Sequence, residues 1–170
     1  MALLTGDSPM VSRATNVDCL TIAWWVVVWY IVIGYFLKGF LMAATSDYLE
    51  NKILDYVLRA QSYSAPSAIY LSLHSSDPTD DDGGEISAGG NSYARQAITF
   101  AAAHATDGSI ASNSVETFSD MPAVTVTHIG LHDHVSAGNL LFHGALSASK
   151  TVAAGDTVQF ASGAITVTLA

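Results

Sequence analysis

Between Asp47 and Arg59 apolar residues recur at helical spacing. Leu49, Ile53, Tyr56 and Val57 fall on one face, flanked by Leu54 and Leu58, with Asn51, Lys52, Asp55 and Arg59 on the other. Asp47 and Glu50 stand as an N-cap and N3 pair like a capping box, and both acids suit the positive end of a helix. Asp55 and Arg59 follow the favourable i,i+4 order. The helix should end near residues 60–62, ahead of Ala65-Pro66, because proline disfavours helical backbone in the residue before it. Beyond Pro66 the period drops to 2. Ile69, Leu71 and Leu73 alternate with Tyr70, Ser72 and His74. Ile98 and Phe100 alternate with Ala97 and Thr99, and Val124 and Val126 with Thr125 and Thr127. The same alternation runs through Leu140–Leu146, Val158–Phe160 and Ile165–Leu169, between turn-rich pieces such as Val135–Asn139, Ala154–Asp156 and Ala161–Gly163. Six to eight short strands, each with one polar face, predict a mainly β fold: an antiparallel β-sandwich or jelly-roll-like domain preceded by one amphipathic helix. The helix is expected to close one end of the sandwich; the alternative is that it reaches out to a neighbouring subunit.

Residues 1–41 have a different character. Cys19–Leu37, CLTIAWWVVVWYIVIGYFL, carry no charge, and as a helix they would cross roughly 28 Å, close to the thickness of a bilayer core. At face value this is a transmembrane helix over 19–37. A secretory signal fits less well, because the start MALLTGDSPM has no basic residue and the apolar run is too long. A third reading is preferred, in which translation begins at Met42. Lys38-Gly39 can be encoded as a purine-rich ribosome-binding sequence just upstream, and a T-rich leader read in frame yields Phe, Ile, Val, Leu and Trp. The expected organisation is therefore an apolar extension, 1–41, and a helix plus β-sandwich domain, 42–170.

Charge narrows the partners. Asp and Glu number 15 against 6 Lys and Arg, a formal net charge of −9, which disfavours nucleic acid because phosphate contacts draw on Lys and Arg. The single cysteine, Cys19, excludes an internal disulfide framework and a thiolate-rich zinc site. Ser75–Ser92, the most polar stretch, gathers Asp77, Asp80, Asp81, Asp82 and Glu85. Its spacing fails the EF-hand pattern, since with Gly83 at the turn position the first ligand position falls on Pro78. A solvated, mobile loop guarding a strand edge is the expectation. His128, His132 and His134 share parity within VTVTHIGLHDHV, which makes His132 and His134 candidate metal ligands about 6.6 Å apart on one strand. Surface or interface histidines are the preferred reading, with Asp133 pointing away. No Gly-x-Ser-x-Gly elbow, phosphate-binding loop or HExxH is present, so no catalytic residue and no cofactor are assigned.

The order of the segments SDYLENKILDYVL, APSAIYLSLHSSDPTDDD, SYARQAITF, SIASNSVETF, VTHIGLHDHVSAGNLLFHGAL and SKTVAAGDTVQFASGAITVTL resembles a family of small tailed-phage virion structural proteins commonly labelled phage tail fibre proteins. The resemblance covers about residues 46–169. Its hallmark phrases fall on Tyr93-Ala94-Arg95, Thr127-His128-Ile129-Gly130, Gly138-Asn139-Leu140-Leu141 and Gly144-Ala145-Leu146; histidine at 132, 134 and 143 departs from the pattern. The resemblance implies a non-enzymatic virion component, assembled in the host cytoplasm with other phage virion proteins. A homo-oligomer, by analogy a trimer, and a host surface receptor are the further partners it implies. Tyr70, Tyr93 and Phe142 are the expected assembly surface, by burial of aromatic side chains. A membrane-anchored β-sandwich surface module and a host-glycan-binding domain are the alternatives; a membrane is a partner only if residues 19–37 are translated.

Overall fold

The computed structural model describes residues 44–169 and the backbone of Tyr35–Leu37. Residues 19–34 of the expected membrane span lie outside the described residues, and Tyr35–Leu37 form a strand, β1, rather than the end of a helix. Among the described residues no helix is long and apolar enough to cross a membrane.

After a two-residue strand, β2 (Ala44–Thr45), the chain enters helix α1, Asp47–Arg59. Its start lies one residue earlier than the capping-box reading had it. Ser46 is the N-cap, with its hydroxyl accepting from the Leu49 N–H, and Asp47 is the first helical residue. Asp55 and Arg59 pair at 2.8 Å, and Ala60 closes the helix in the left-handed region at φ 53. The expectation that α1 closes the sandwich is overturned. Only Leu49 is buried, while Ile53, Leu54, Tyr56, Val57 and Leu58 are all exposed, from 38% at Ile53 to 75% at Leu58.

The remaining strands are β3 (Ile69–His74), β4 (Gln96–Ile98), β5 (Ser109–Ala111), β6 (Glu116–Phe118), β7 (Val124–His132), β8 (Leu140–Val152), β9 (Val158–Phe160) and β10 (Thr166–Thr168). A five-stranded antiparallel sheet runs β2-β8-β7-β3-β4. Opposite it lie two short ribbons, β6 antiparallel to β9, with β1 parallel along the far side of β9, and β10 antiparallel to β5. One apolar cluster joins all three: Leu71 and Leu73 from β3, Ile129 and Leu131 from β7, Leu146 from β8, Phe118, Phe160 and Val167 from the ribbons. The architecture is the mainly β, sandwich-like fold that the alternating pattern predicts.

Strand β7 runs five residues beyond the alternation of Val124 and Val126. A register shift between Val126 and His128 inverts the parity, so Val126 and Ile129 both reach the core although an odd number of positions separates them. The alternation read from sequence breaks at Thr127 for that reason.

Candidate functional site

The five-stranded sheet has a second face. In register across β3 and β7, Tyr70 stands opposite His132, Ser72 opposite Gly130 and His74 opposite His128. Alternation with buried Leu71 and Leu73 marks this as the face expected to be wet. Instead Ser72, His74 and His132 are wholly buried. Their cover is the acidic segment after β3: most of its residues are exposed, as expected of a solvated loop, but Pro78 is buried and Asp82 and Glu85 are half-buried against the sheet. The chain turns through buried Pro78, returns with Ser75 N–H donating to Gly84 C=O (3.0 Å) and Ile86 N–H to Leu73 C=O (2.9 Å), and lies across the sheet as a compact lid.

The underside of the lid meets the histidines. His132 Nε2 lies 2.9 Å from both oxygens of Asp82, and its Nδ1 lies 3.2 Å from Ser72 Oγ. His74 Nε2 lies 2.8 Å from the same hydroxyl, and its Nδ1 lies 2.9 Å from the Gly83 carbonyl oxygen. The two imidazoles are nearly parallel, 6.2 Å apart. Nearer the edge, Asp77 pairs with His143 at 3.1 Å. A close carboxylate–histidine set thus exists within one chain, and His132 is not a surface residue.

Arg95 fastens the lid. Its side chain is 7% exposed, and the guanidinium forks onto Glu85 through Nε (2.9 Å) and Nη2 (2.7 Å), with Nη2 also 3.5 Å from Asp82. Nη1 donates to the carbonyls of His134 (3.2 Å) and Ala137 (2.7 Å), so one side chain ties the lid to the β7–β8 turn. Burial pushes the Glu85 carboxyl up, but hydrogen bonds and charge from Arg95 outweigh it and the net shift is downward. Burial drives both His74 and His132 below the ordinary imidazole range, against the opposing pull of the Gly83 carbonyl at His74 and of Asp82 at His132.

Of the expected metal pair, only His132 enters this cluster. β7 ends at His132, and His134 lies exposed in the following turn with its ring against Ser136. Three residues do converge: His74, Asp82 and His132 each place a ligand atom within 4.8 Å of the other two. Of the expected assembly residues, Tyr70 is half-buried beside His132. Tyr93 turns inward, stacked on Phe118 at 5.9 Å, and its hydroxyl accepts from Leu73 N–H and donates to Glu85. Phe142 is half-buried and, with Ile69, Phe100, Ile110, Leu131 and Val167, lines an apolar cavity of about 330 Å³. Sequence reasoning passed over His74 and Arg95 as site residues and weighed Glu85 only within the acidic stretch. Their spacing carries no motif, since they meet only through the pairing of β3 with β7 and the return of the lid.

Gly130 is the floor of the cluster. A Cβ there would stand 2.7 Å from Ser72 Oγ, 2.9 Å from His74 Nε2 and 3.0 Å from His132 Cε1. Gly130→Ala is expected to cost about 1–3 kcal/mol, the usual range for forcing a methyl into a packed site. Thermal melting checks this, and an unchanged midpoint would mean that the buried polar groups shift freely.

With the geometry in place, the comparison with known families is informative. No curated protein matches the chain. A family model described as podophage GP4 fiber I protein gp80 matches residues 44–168, well over half of the sequence. The chain belongs to this phage fibre family, and the resemblance drawn from its segment order is borne out.

Proposed function

We propose that this protein is a non-enzymatic component of a phage tail fibre, residing in the virion and assembling through α1 with copies of itself and with other virion proteins. Family membership supports the fibre assignment. A single observation carries the mode of assembly: five large apolar residues of a 13-residue helix stand exposed. An isolated helix of about 12–15 residues or fewer is marginal in water, and helices draw most of their stability from a packed face. Among the described residues Leu49 alone packs against the domain, and the exposed face stands open to a partner.

The width of the face points to the number of neighbours. At 3.6 residues per turn, the arc from Tyr56 through Ile53, Val57 and Leu54 to Leu58 covers about 200°, interrupted by Glu50 in the first turn. A stripe facing one partner is nearer about 100° wide. An arc twice that width suits contact with two neighbours, as each helix has around a threefold axis.

Size-exclusion chromatography with light scattering on the full chain tests this. The wild-type protein is expected at trimer mass, and Val57→Asp at monomer mass. The β-type circular dichroism of the variant should be preserved, because Val57 is exposed and lies outside the sandwich core. A monomeric wild type, or an intact trimer of the variant, would overturn the proposal.

A further inference from the structure

Under the lid, four polar contacts form a chain: Gly83 carbonyl to His74 Nδ1, His74 Nε2 to Ser72 Oγ, Ser72 Oγ to His132 Nδ1, and His132 Nε2 to Asp82. Each contact needs one hydrogen. With both imidazoles neutral, each carries one N–H and the hydroxyl one O–H, so three hydrogens serve four contacts. Whatever the tautomers, the fourth contact then needs a proton or a metal ion between its lone pairs. Charge falls short in the same place, since Asp82 and Glu85 face the single guanidinium of Arg95. The cluster has a place for one cation where ligand atoms of His74, Asp82 and His132 converge within 4.8 Å of one another.

We infer that His74, Asp82 and His132 form a binding site for a first-row divalent transition ion of the zinc type. An ion on His132 Nε2 and Asp82 replaces the missing hydrogen. His132 Nδ1–H then donates to Ser72, whose own proton has the Gly130 carbonyl oxygen at 3.2 Å as an alternative acceptor, releasing the His74 Nε2 lone pair as third ligand. His74 keeps its Nδ1–H on the Gly83 carbonyl. Both ligand histidines are thus oriented by an oxygen on the other ring nitrogen, the arrangement that metal-bound imidazoles require. The reach is short. Three atoms no more than 4.8 Å apart have a common centre within about 2.8 Å, against bond lengths of about 2.0–2.2 Å for zinc, so a shift of under 1 Å completes the site. Asp82 keeps 28% exposure, which leaves the ion a side open to water as fourth ligand. Two imidazoles select a transition ion over calcium or magnesium, which prefer oxygen.

The test uses the full chain stripped with EDTA and then titrated with zinc chloride, with calorimetry and melting as readouts. One zinc per chain should bind and raise the midpoint by several degrees, with calcium and magnesium without effect. Asp82→Asn, which keeps the side-chain volume, and His74→Gln should each weaken zinc binding at least tenfold, whereas His104→Ala, on an exposed residue, should not. Cobalt(II) added to the wild type should give the intense visible band of a four-coordinate nitrogen–oxygen site, a readout independent of whether either variant folds. Absence of one-to-one zinc binding, zinc binding indifferent to the variants, or a cobalt spectrum of the hydrated ion would each overturn the inference. In those cases the fourth hydrogen is a proton. The oligomer test on α1 reads out separately, since Val57→Asp leaves the cluster intact.

Discussion

Truncating Phe118 to alanine is expected to destabilise the domain by about 3–5 kcal/mol, the range found when a fully buried phenylalanine is removed from a core. Phe118 is 1% exposed and touches two aromatic neighbours, stacking on Tyr93 at 5.9 Å and meeting Phe160 edge-on at 6.3 Å. It sits on β6, a three-residue strand paired, among the described strands, with β9 alone. Urea unfolding should show the midpoint falling with the slope unchanged, the mark of a stability effect without a change in the exposed surface. Phe118→Leu keeps most of the volume and should lose under about half as much. A loss below about 1 kcal/mol for the alanine variant would mean that the ribbons do not close the core.

That core was legible in the sequence, and the reason is physical. Leu71 and Leu73, Val158 and Phe160, and Val167 between two threonines alternate with polar neighbours because one side of each strand is sealed from water and the other is not. The pattern says nothing about what lies on the polar side. Ser72, His74 and His132 read as a wet face, since a polar residue facing water and one facing an acidic lid look alike in sequence. The lid is non-periodic. Its path depends on the Ser75–Gly84 and Ile86–Leu73 hydrogen bonds and on a guanidinium arriving from Arg95, all of which are tertiary. Histidine parity failed at His134 because β7 ends two residues before it. In α1 the amphipathic stripe was legible, yet among the described residues no surface receives it beyond Leu49. A helix written for a partner looks in sequence the same as a helix written for its own core.

Arg95→Ala is the decisive test of the lid. Removing one member of a buried ion pair costs about 3–5 kcal/mol, because the surviving charge is left without a partner; the 27% exposure of Glu85 lets water offset part of this and places the expectation near the lower end. The variant also strips hydrogen bonds from the carbonyls of His134 and Ala137. Arg95→Lys retains the charge but not the fork, and should recover less than half of the loss. The pH dependence follows from the sign of the Glu85 shift. Its folded pKa lies below the ordinary value, so its contribution is fully present above the unfolded pKa, near 4.3, and is lost as pH falls through the folded pKa. Without Arg95, burial outweighs the remaining partners of Glu85 (the Tyr93 hydroxyl and the two imidazoles) and raises its pKa, so acid no longer weakens the contact it once made. Asp107, Asp120 and Asp133 are also held below their ordinary range, but their partners are Ser109, Asn91 with Ser92, and Asn139, which both proteins share. Their acid losses therefore cancel in the difference. The stability gap between wild type and Arg95→Ala, measured by urea unfolding, should be widest above pH 5 and narrow towards pH 3. A gap that stays constant across that range would show that Arg95 acts through the two carbonyls and not through Glu85.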